Sequence, residues 1–245
     1  MKDVTLRAKN GRSLLDEVTL EVFGGEIVGI AGVTGNGQSE LIEAVTGMQK
    51  IESGEITLNG KSIANRSTDE IRRMHVAHLP ADRHRHGINL DERVDENLII
   101  GRHNRAPFCR YGLLQRKAIR AFANTVIEKY EIRVGSIDLP IRTLSGGNQQ
   151  KVVVARELEG NPDLIIAAHP TRGLDINAAQ FVHHQLIEAR NRFKGVLLIS
   201  VDLEELLRLS DRIAVMYNGR IVGVVRPSET DEAKLGTLML GVEED

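Results

Sequence analysis

Gly32-Val33-Thr34-Gly35-Asn36-Gly37-Gln38-Ser39 follows the apolar run Ile27-Val28-Gly29-Ile30-Ala31 and opens a helical pattern over Glu40 to Val45. A buried strand, a glycine-rich turn and a helix start form the context of a phosphate cradle. Glycines let backbone N–H groups close on the phosphates, and the helix N-terminus faces their charge. The residues expected to bind nucleotide are therefore Gly32, Gly35, Asn36, Gly37, Gln38 and Ser39, with the Ser39 hydroxyl a weak magnesium candidate. Such a loop needs lysine at position 38. Gln38 donates neutral hydrogen bonds but sets no cation against the β- and γ-phosphates. A unit-charge contact near 4 Å is worth roughly 4 kcal/mol at an effective dielectric of about 20, and Gln38 forgoes it. Taken by itself the loop also fits a plain strand-to-helix turn.

Outward from the loop, Val4-Thr5-Leu6 and Val18-Thr19-Leu20-Glu21-Val22 alternate as short strands. Ile56-Thr57-Leu58 enters Asn59-Gly60, and Val215-Met216-Tyr217 enters Asn218-Gly219 ahead of Ile221 to Val225. Asn-Gly tolerates the positive φ angles of a two-residue hairpin, so antiparallel pieces are expected near both ends. Leu164 to Ala168, Val196 to Ser200 and Ile213 to Met216 are apolar runs separated by helical patterns such as Ala178 to Arg190. That alternation predicts a buried parallel sheet with any ligand at the carboxyl ends of its strands. Residues from about 88 to 151 break the rhythm, Leu113 to Tyr130 reads as an amphipathic helix, and an inserted helical subdomain within one domain of residues 1–245 is expected.

Leu144-Ser145-Gly146-Gly147-Asn148-Gln149-Gln150-Lys151 leads into Val152-Val153-Val154-Ala155-Arg156 at the start of a helix. It resembles the signature motif of ABC ATPases, in the form typical of sugar-type importers. The resemblance runs along nearly the whole chain. His78-Leu79-Pro80-Ala81-Asp82-Arg83-His84-Arg85-His86-Gly87 resembles the segment joining core to helical subdomain, and Pro170-Thr171-Arg172-Gly173-Leu174-Asp175 resembles the D-loop with Gly173, Leu174 and Asp175. Asp211 to Met216 and Leu238 to Gly241 fit as well. The resemblance implies the α/β fold of a P-loop NTPase: an ABC-type ATPase domain with a RecA-like parallel sheet core, an antiparallel β subdomain and the inserted helical subdomain. It implies that Leu144, Ser145, Gly146, Gly147, Asn148 and Gln149 contact ATP bound to an opposing domain. The pattern is most similar to the C-terminal, second half of the double-length ATPases of ribose-like and nucleoside importers. Implied partners are an N-terminal nucleotide-binding half, integral-membrane permease subunits and, indirectly, a substrate-binding protein. Sugar versus nucleoside stays open, with Ala81 to Gly87 leaning toward the nucleoside branch.

This chain departs from the family pattern where catalysis is done. Gln38 replaces lysine, Ala168 and His169 stand where the family has Asp and Glu, and Val201 stands where it has the switch histidine. Ala81 replaces a polar residue, and no aromatic lies between Leu6 and Val22 to stack on adenine. These groups serve charge neutralisation, metal support, water activation and γ-phosphate sensing. With all of them replaced, the domain by itself is expected to hydrolyse little or no ATP, and ATP or ADP would bind weakly or through the partner domain, with magnesium possible.

Composition agrees with a globular chain: 41% apolar and 27% charged residues, with a formal net charge of -2. No whole-molecule field favours nucleic acid, and none is expected as a partner. Cys109 is the one cysteine, which excludes an intramolecular disulfide and fits a reducing compartment. MKDVTLRAKN has no apolar signal core, and no apolar run approaches ~20 residues. The expected location is cytoplasmic, at the inner face of the membrane through permease subunits.

Two other functions fit the same residues: an autonomous ATPase using His169 as base and Gln38 as donor, and a structural subunit that binds no nucleotide. A metal set of His75, His78, His84 and His86 is disfavoured, because the matching family segment is basic and polar for interdomain contact. His183 and His184 read as surface residues. Arg102, Arg105, Arg110, Arg116, Lys117 and Arg120 read as a solvated face. By resemblance, part of that face and residues from about 82 to 101 receive a permease coupling helix.

Overall fold

The computed structural model describes residues 1–241. In chain order the early elements are β1 (Lys2–Arg7), β2 (Ser13–Val18), β3 (Ile27–Ala31), α1 (Gln38–Thr46), β4 (Ser53–Glu55), β5 (Thr57–Leu58), β6 (Lys61–Ser62), α2 (Thr68–Arg73) and β7 (Val76–Leu79). The middle of the chain forms α3 (Val94–Asn97), β8 (Cys109–Arg110), β9 (Leu113–Leu114), α4 (Arg116–Lys129) and α5 (Gly146–Leu158). Then come β10 (Leu164–Ala168), α6 (Ile176–Asn191), β11 (Gly195–Ile199), α7 (Leu203–Leu209), β12 (Arg212–Tyr217), β13 (Arg220–Val225) and α8 (Glu232–Met239). The chain divides into two compact units. One holds residues 1–78, 163–169 and 186 onward, and the other holds 79–162 and 170–185.

The first unit is built on a six-stranded sheet ordered β13-β12-β3-β11-β10-β7. β10, β11, β3 and β12 run parallel, and β13 returns antiparallel to β12. Every residue of β3 and β11 is buried, which is why these runs are uniformly apolar rather than alternating. The order reverses at β3, whose neighbours are β11 and β12, so the loop after β3 opens at the topological switch point. A second sheet, β2-β1-β4, is antiparallel. Its Val4, Leu6, Leu15 and Val18 share one apolar core with Val28, Ile30, Leu197, Ile199 and Met216.

Both Asn-Gly pairs turn hairpins. Asn59 and Gly60 have φ 49 and 75 between β5 and β6, and Asn218 and Gly219 have φ 47 and 77 between β12 and β13. The strand expected over Val18 to Val22 lies earlier, at Ser13–Val18. Its ladder with β1 is irregular beside Glu17, which takes φ 53, and it ends at the pair Val4↔Val18.

The second unit is mainly helical. The helix expected from Leu113 begins only at Arg116, because Tyr111 and Gly112, with φ 52 and 77, turn Leu113–Leu114 back onto Cys109–Arg110. Ile99, Phe108 and Ile119 make a small core, with the Phe108 and Phe122 rings edge to face at 5.0 Å. Arg156, 4% exposed, pairs with Glu157 at 2.9 Å and donates to the Gly87 carbonyl at 2.7 Å. A buried charge is tolerable only when partnered in this way. Among the described residues no helix is long and apolar enough to cross a membrane.

Leu198 sits in β11 with no exposed surface. Leu198→Ala is expected to lower stability by about 3 kcal/mol through lost burial and a residual cavity. A urea titration should show a lower midpoint with unchanged slope, and a loss below about 1 kcal/mol would contradict this account of the core.

Candidate functional site

The loop after β3 is shaped by backbone approach. A Cβ at Gly32 would strike Gln38 Nε2 and lie 2.8 Å from the Met216 carbonyl oxygen. Gly37, the residue before α1, takes φ 109, and a Cβ there would lie 2.9 Å from Met216 Cε and 3.0 Å from the Leu14 carbonyl oxygen. Only glycine meets both demands. No side chain caps α1, so the amides at its start are left to solvent or to a ligand. Gln38 turns inward: it is 8% exposed, and its Nε2 donates to the Val33 carbonyl at 3.2 Å. The loop is braced from a distant part of the chain. Gly219 N donates to the Asn36 carbonyl at 2.9 Å and Asn218 N to Asn36 Oδ1 at 3.0 Å. Sequence reasoning missed this brace, since the two segments lie 182 residues apart and carry no shared pattern.

The neighbouring strand ends complete this edge. Ala168 stands opposite Ile199, and Ile199 opposite Ile30, so β10, β11 and β3 end at one level beside the loop. Ala168 is 1% exposed and offers only a methyl group. His169 has the left-handed φ of 43, and its N–H donates to the Ile199 carbonyl at 2.7 Å. Ser200 Oγ accepts from Asp202 N at 3.1 Å, and Asp202 in turn caps α7 by accepting from Glu205 N at 3.2 Å. Val201 is 58% exposed and apolar. Gln38, Ala168, His169 and Val201 thus gather at the carboxyl edge of the sheet, and they bring neither a carboxylate nor a lysine to it.

The second unit carries a separate cleft of about 450 Å³, lined by Ser145, Gly147, Asn148, Lys151, Asp175 and Ala178, among others. Ser145 caps α5, its Oγ accepting from Asn148 N at 3.4 Å and from Asn148 Nδ2 at 3.0 Å. Asp175 caps α6, its Oδ1 accepting from Ala178 N at 2.9 Å. A Cβ at Gly147 would lie 3.0 Å from Ala178 Cβ and 3.4 Å from Asp175 Oδ2. The starts of α5 and α6 therefore meet at Gly147, and residues from both helix starts line one cleft. Gln149 is turned away from it, with Nε2 donating to the Leu144 carbonyl at 3.1 Å. Lys151 donates to the Glu131 carbonyl at 3.0 Å and lies 4.7 Å from the centre of the Phe181 ring. Gly173 takes φ 69, and Leu174 N donates to the Thr171 carbonyl at 3.1 Å.

Arg83 to Gly87 form a single π-helical turn, and Asp82 accepts from the amides of His84 and Arg85, each at 3.0 Å. The Arg85 amide, with that of His84, holds the Asp82 carboxyl below its usual value. The ionised form is thus favoured in the folded chain, so this contribution is present above the ordinary carboxylate range and is lost as pH falls through the lowered value. His84 turns to Gln149 rather than to the other histidines. Among the described residues no group of three or more His, Cys, Asp or Glu side chains is placed to hold a metal ion.

A glycine-rich loop between a central parallel strand and a helix, at the switch point of the sheet, defines the P-loop NTPase fold. Residues 15–172 match the family model described as ABC transporter, and the chain belongs to that family. It is 49% identical over 238 residues to the guanosine import ATP-binding protein NupO of Bacillus subtilis (strain 168), covering 97% of this chain and 47% of that protein. It is 43% identical over 241 residues to the nucleoside import ATP-binding protein NupA of Lactococcus lactis subsp. cremoris (strain MG1363), covering 98% of this chain and 48% of the other. The chain thus spans about half the length of these curated relatives. A nucleotide-free ATP-binding cassette from an ABC transporter shares the fold, with TM-score 0.78, 23% identity, and 98% and 93% of the two chains covered.

Asp175→Ala removes the α6 cap and is expected to cost about 1 kcal/mol in a denaturation experiment. Asp175→Asn, which can still accept from Ala178 N, should retain most of that stability. Equal losses from the two variants would show that the cap is not the cause.

Proposed function

We propose that this chain is the ATP-binding domain of a nucleoside or sugar importer, forming the second, C-terminal half of a double-length ATPase. In this reading Ser145, Gly146 and Gly147 serve ATP held by the N-terminal half, while the chain's own hydrolytic site has lost its chemistry. The observation that carries it is the contrast between the two sites. The cleft at Gly147 brings two helix N-termini together, with the Lys151 cation and the capping residues Ser145 and Asp175 in its lining, an arrangement suited to an anion held by backbone amides. The edge at Gly32 to Ser39 keeps its backbone shape but presents Gln38, Ala168, His169 and Val201.

Those residues do not fit a magnesium ion. The Ser39 hydroxyl stands at the helix start, and the strand-end position that would hold the metal's water shell is the methyl of Ala168. No hydrolytic step is therefore assigned there. ATP or ADP would be held weakly at this loop, by amides and the uncapped start of α1. The assembly would sit at the cytoplasmic face of the membrane against permease subunits, and a binding protein together with the permease would choose the cargo. The names of NupO and NupA favour a nucleoside over a sugar.

The test is ATP hydrolysis by this chain joined to its N-terminal half and permease. Gly147→Glu should lower the rate by roughly 100-fold or more, while Gln38→Ala should leave it within about twofold. Normal turnover in the Gly147 variant, or hydrolysis by this domain at the rate of the whole assembly, would overturn the reading.

A further inference from the structure

We propose that Arg83 is a positioning residue for the ATP site of the opposing domain, holding the start of α5 and the loop before α6 at a fixed separation. This rests on the reading that Ser145 to Gly147 act across a domain interface. Arg83 reaches both elements. Its Nη2 lies 2.9 Å from where a Cβ on Gly146 would sit, and its Nη1 donates to the Arg172 carbonyl at 3.5 Å. Its Nε, the inner guanidinium nitrogen, is buried without a hydrogen-bond partner, so the outer nitrogens make the contacts. Gly146 is the first residue of α5, and Arg172 leads directly into Gly173-Leu174-Asp175.

The same turn also hydrogen-bonds α5. His84 Nε2 lies 2.9 Å from Gln149 Oε1. The Gln149 amide nitrogen is already spent on the carbonyls of Leu144 and Ile141, at 3.1 and 3.4 Å. Its oxygen must therefore accept, and His84 donates. With Asp82 capping the turn, residues 82–87 pack closely against Gly146 and hydrogen-bond the first turn of α5 at Gln149. Donors that stabilise charge in a transition state work only when held in place beforehand. The planar guanidinium is suited to bridging two points, which a lysine cannot do in the same geometry. A glycine at 146 gives it room to approach.

The experiment measures ATP hydrolysis per folded molecule in the full assembly, for Arg83→Ala, Arg83→Lys and Gly147→Glu. Arg83→Ala should lower kcat roughly tenfold with KM for ATP within about twofold, because transition-state alignment is lost while nucleotide binding is kept. Arg83→Lys, which keeps the charge but not the two-point bridge, should remain well below wild type. Thermal unfolding separates this from a folding defect: a rate loss that follows the loss of folded protein, or disappears at a temperature where the variant is fully folded, overturns the proposal. So does an unchanged kcat in Arg83→Ala. If Gly147→Glu abolishes hydrolysis and Arg83→Ala does not, only the role of Arg83 fails. If Gly147→Glu is fully active, the reading beneath it fails first.

Discussion

The parallel ladder β10-β11-β3-β12 is the constraint on which the first unit depends. Its central strands are buried on both faces, and slipping them would expose a continuous apolar run while leaving ladder amides unpaired. Register therefore sets where the loops open. Because Ala168, Ile199 and Ile30 are aligned, the chain leaves all three strands at one level, and the loops that follow have nowhere else to gather.

That edge has a defined backbone shape and few charged side chains. Gly32 and Gly37 allow close approach of the loop backbone to its neighbours, and Asn218 and Gly219 brace the loop through Asn36. Gln38, however, spends its amide on the loop's own Val33 carbonyl. Backbone geometry is enforced by packing of the whole sheet, so it persists when individual side chains change. The cleft of the second unit is organised by two helix caps, with Ser145 and Asp175 as the capping side chains.

Charge inside the second unit is handled by pairing. Arg156 and Glu157 are both nearly inaccessible, and the Gly87 carbonyl takes a further guanidinium proton. Such a pair adds little net stability, but breaking it would strand a buried charge, so it fixes how the segment around Gly87 meets α5. That segment also supplies Arg83 and His84 to the first turn of the helix.

Local physics made much of this legible in the residues themselves. Uniform apolar runs announced the parallel strands, Asn-Gly announced both hairpins, and glycines between a strand and a helix announced the loop after β3, because each of these depends on neighbours within a few residues. The Tyr111-Gly112 turn was missed, since leucines at 113 and 114 suit a helix as well as a strand and only pairing with Cys109 and Arg110 decides between them. Tertiary structure alone decided the contacts that join remote segments: Asn36 with Asn218, Gly147 with Asp175 and Ala178, and Arg83 with Gly146 and the Arg172 carbonyl. No periodicity encodes such pairs, because they exist only once burial of the sheet and the small helical core has brought distant backbone within hydrogen-bonding reach.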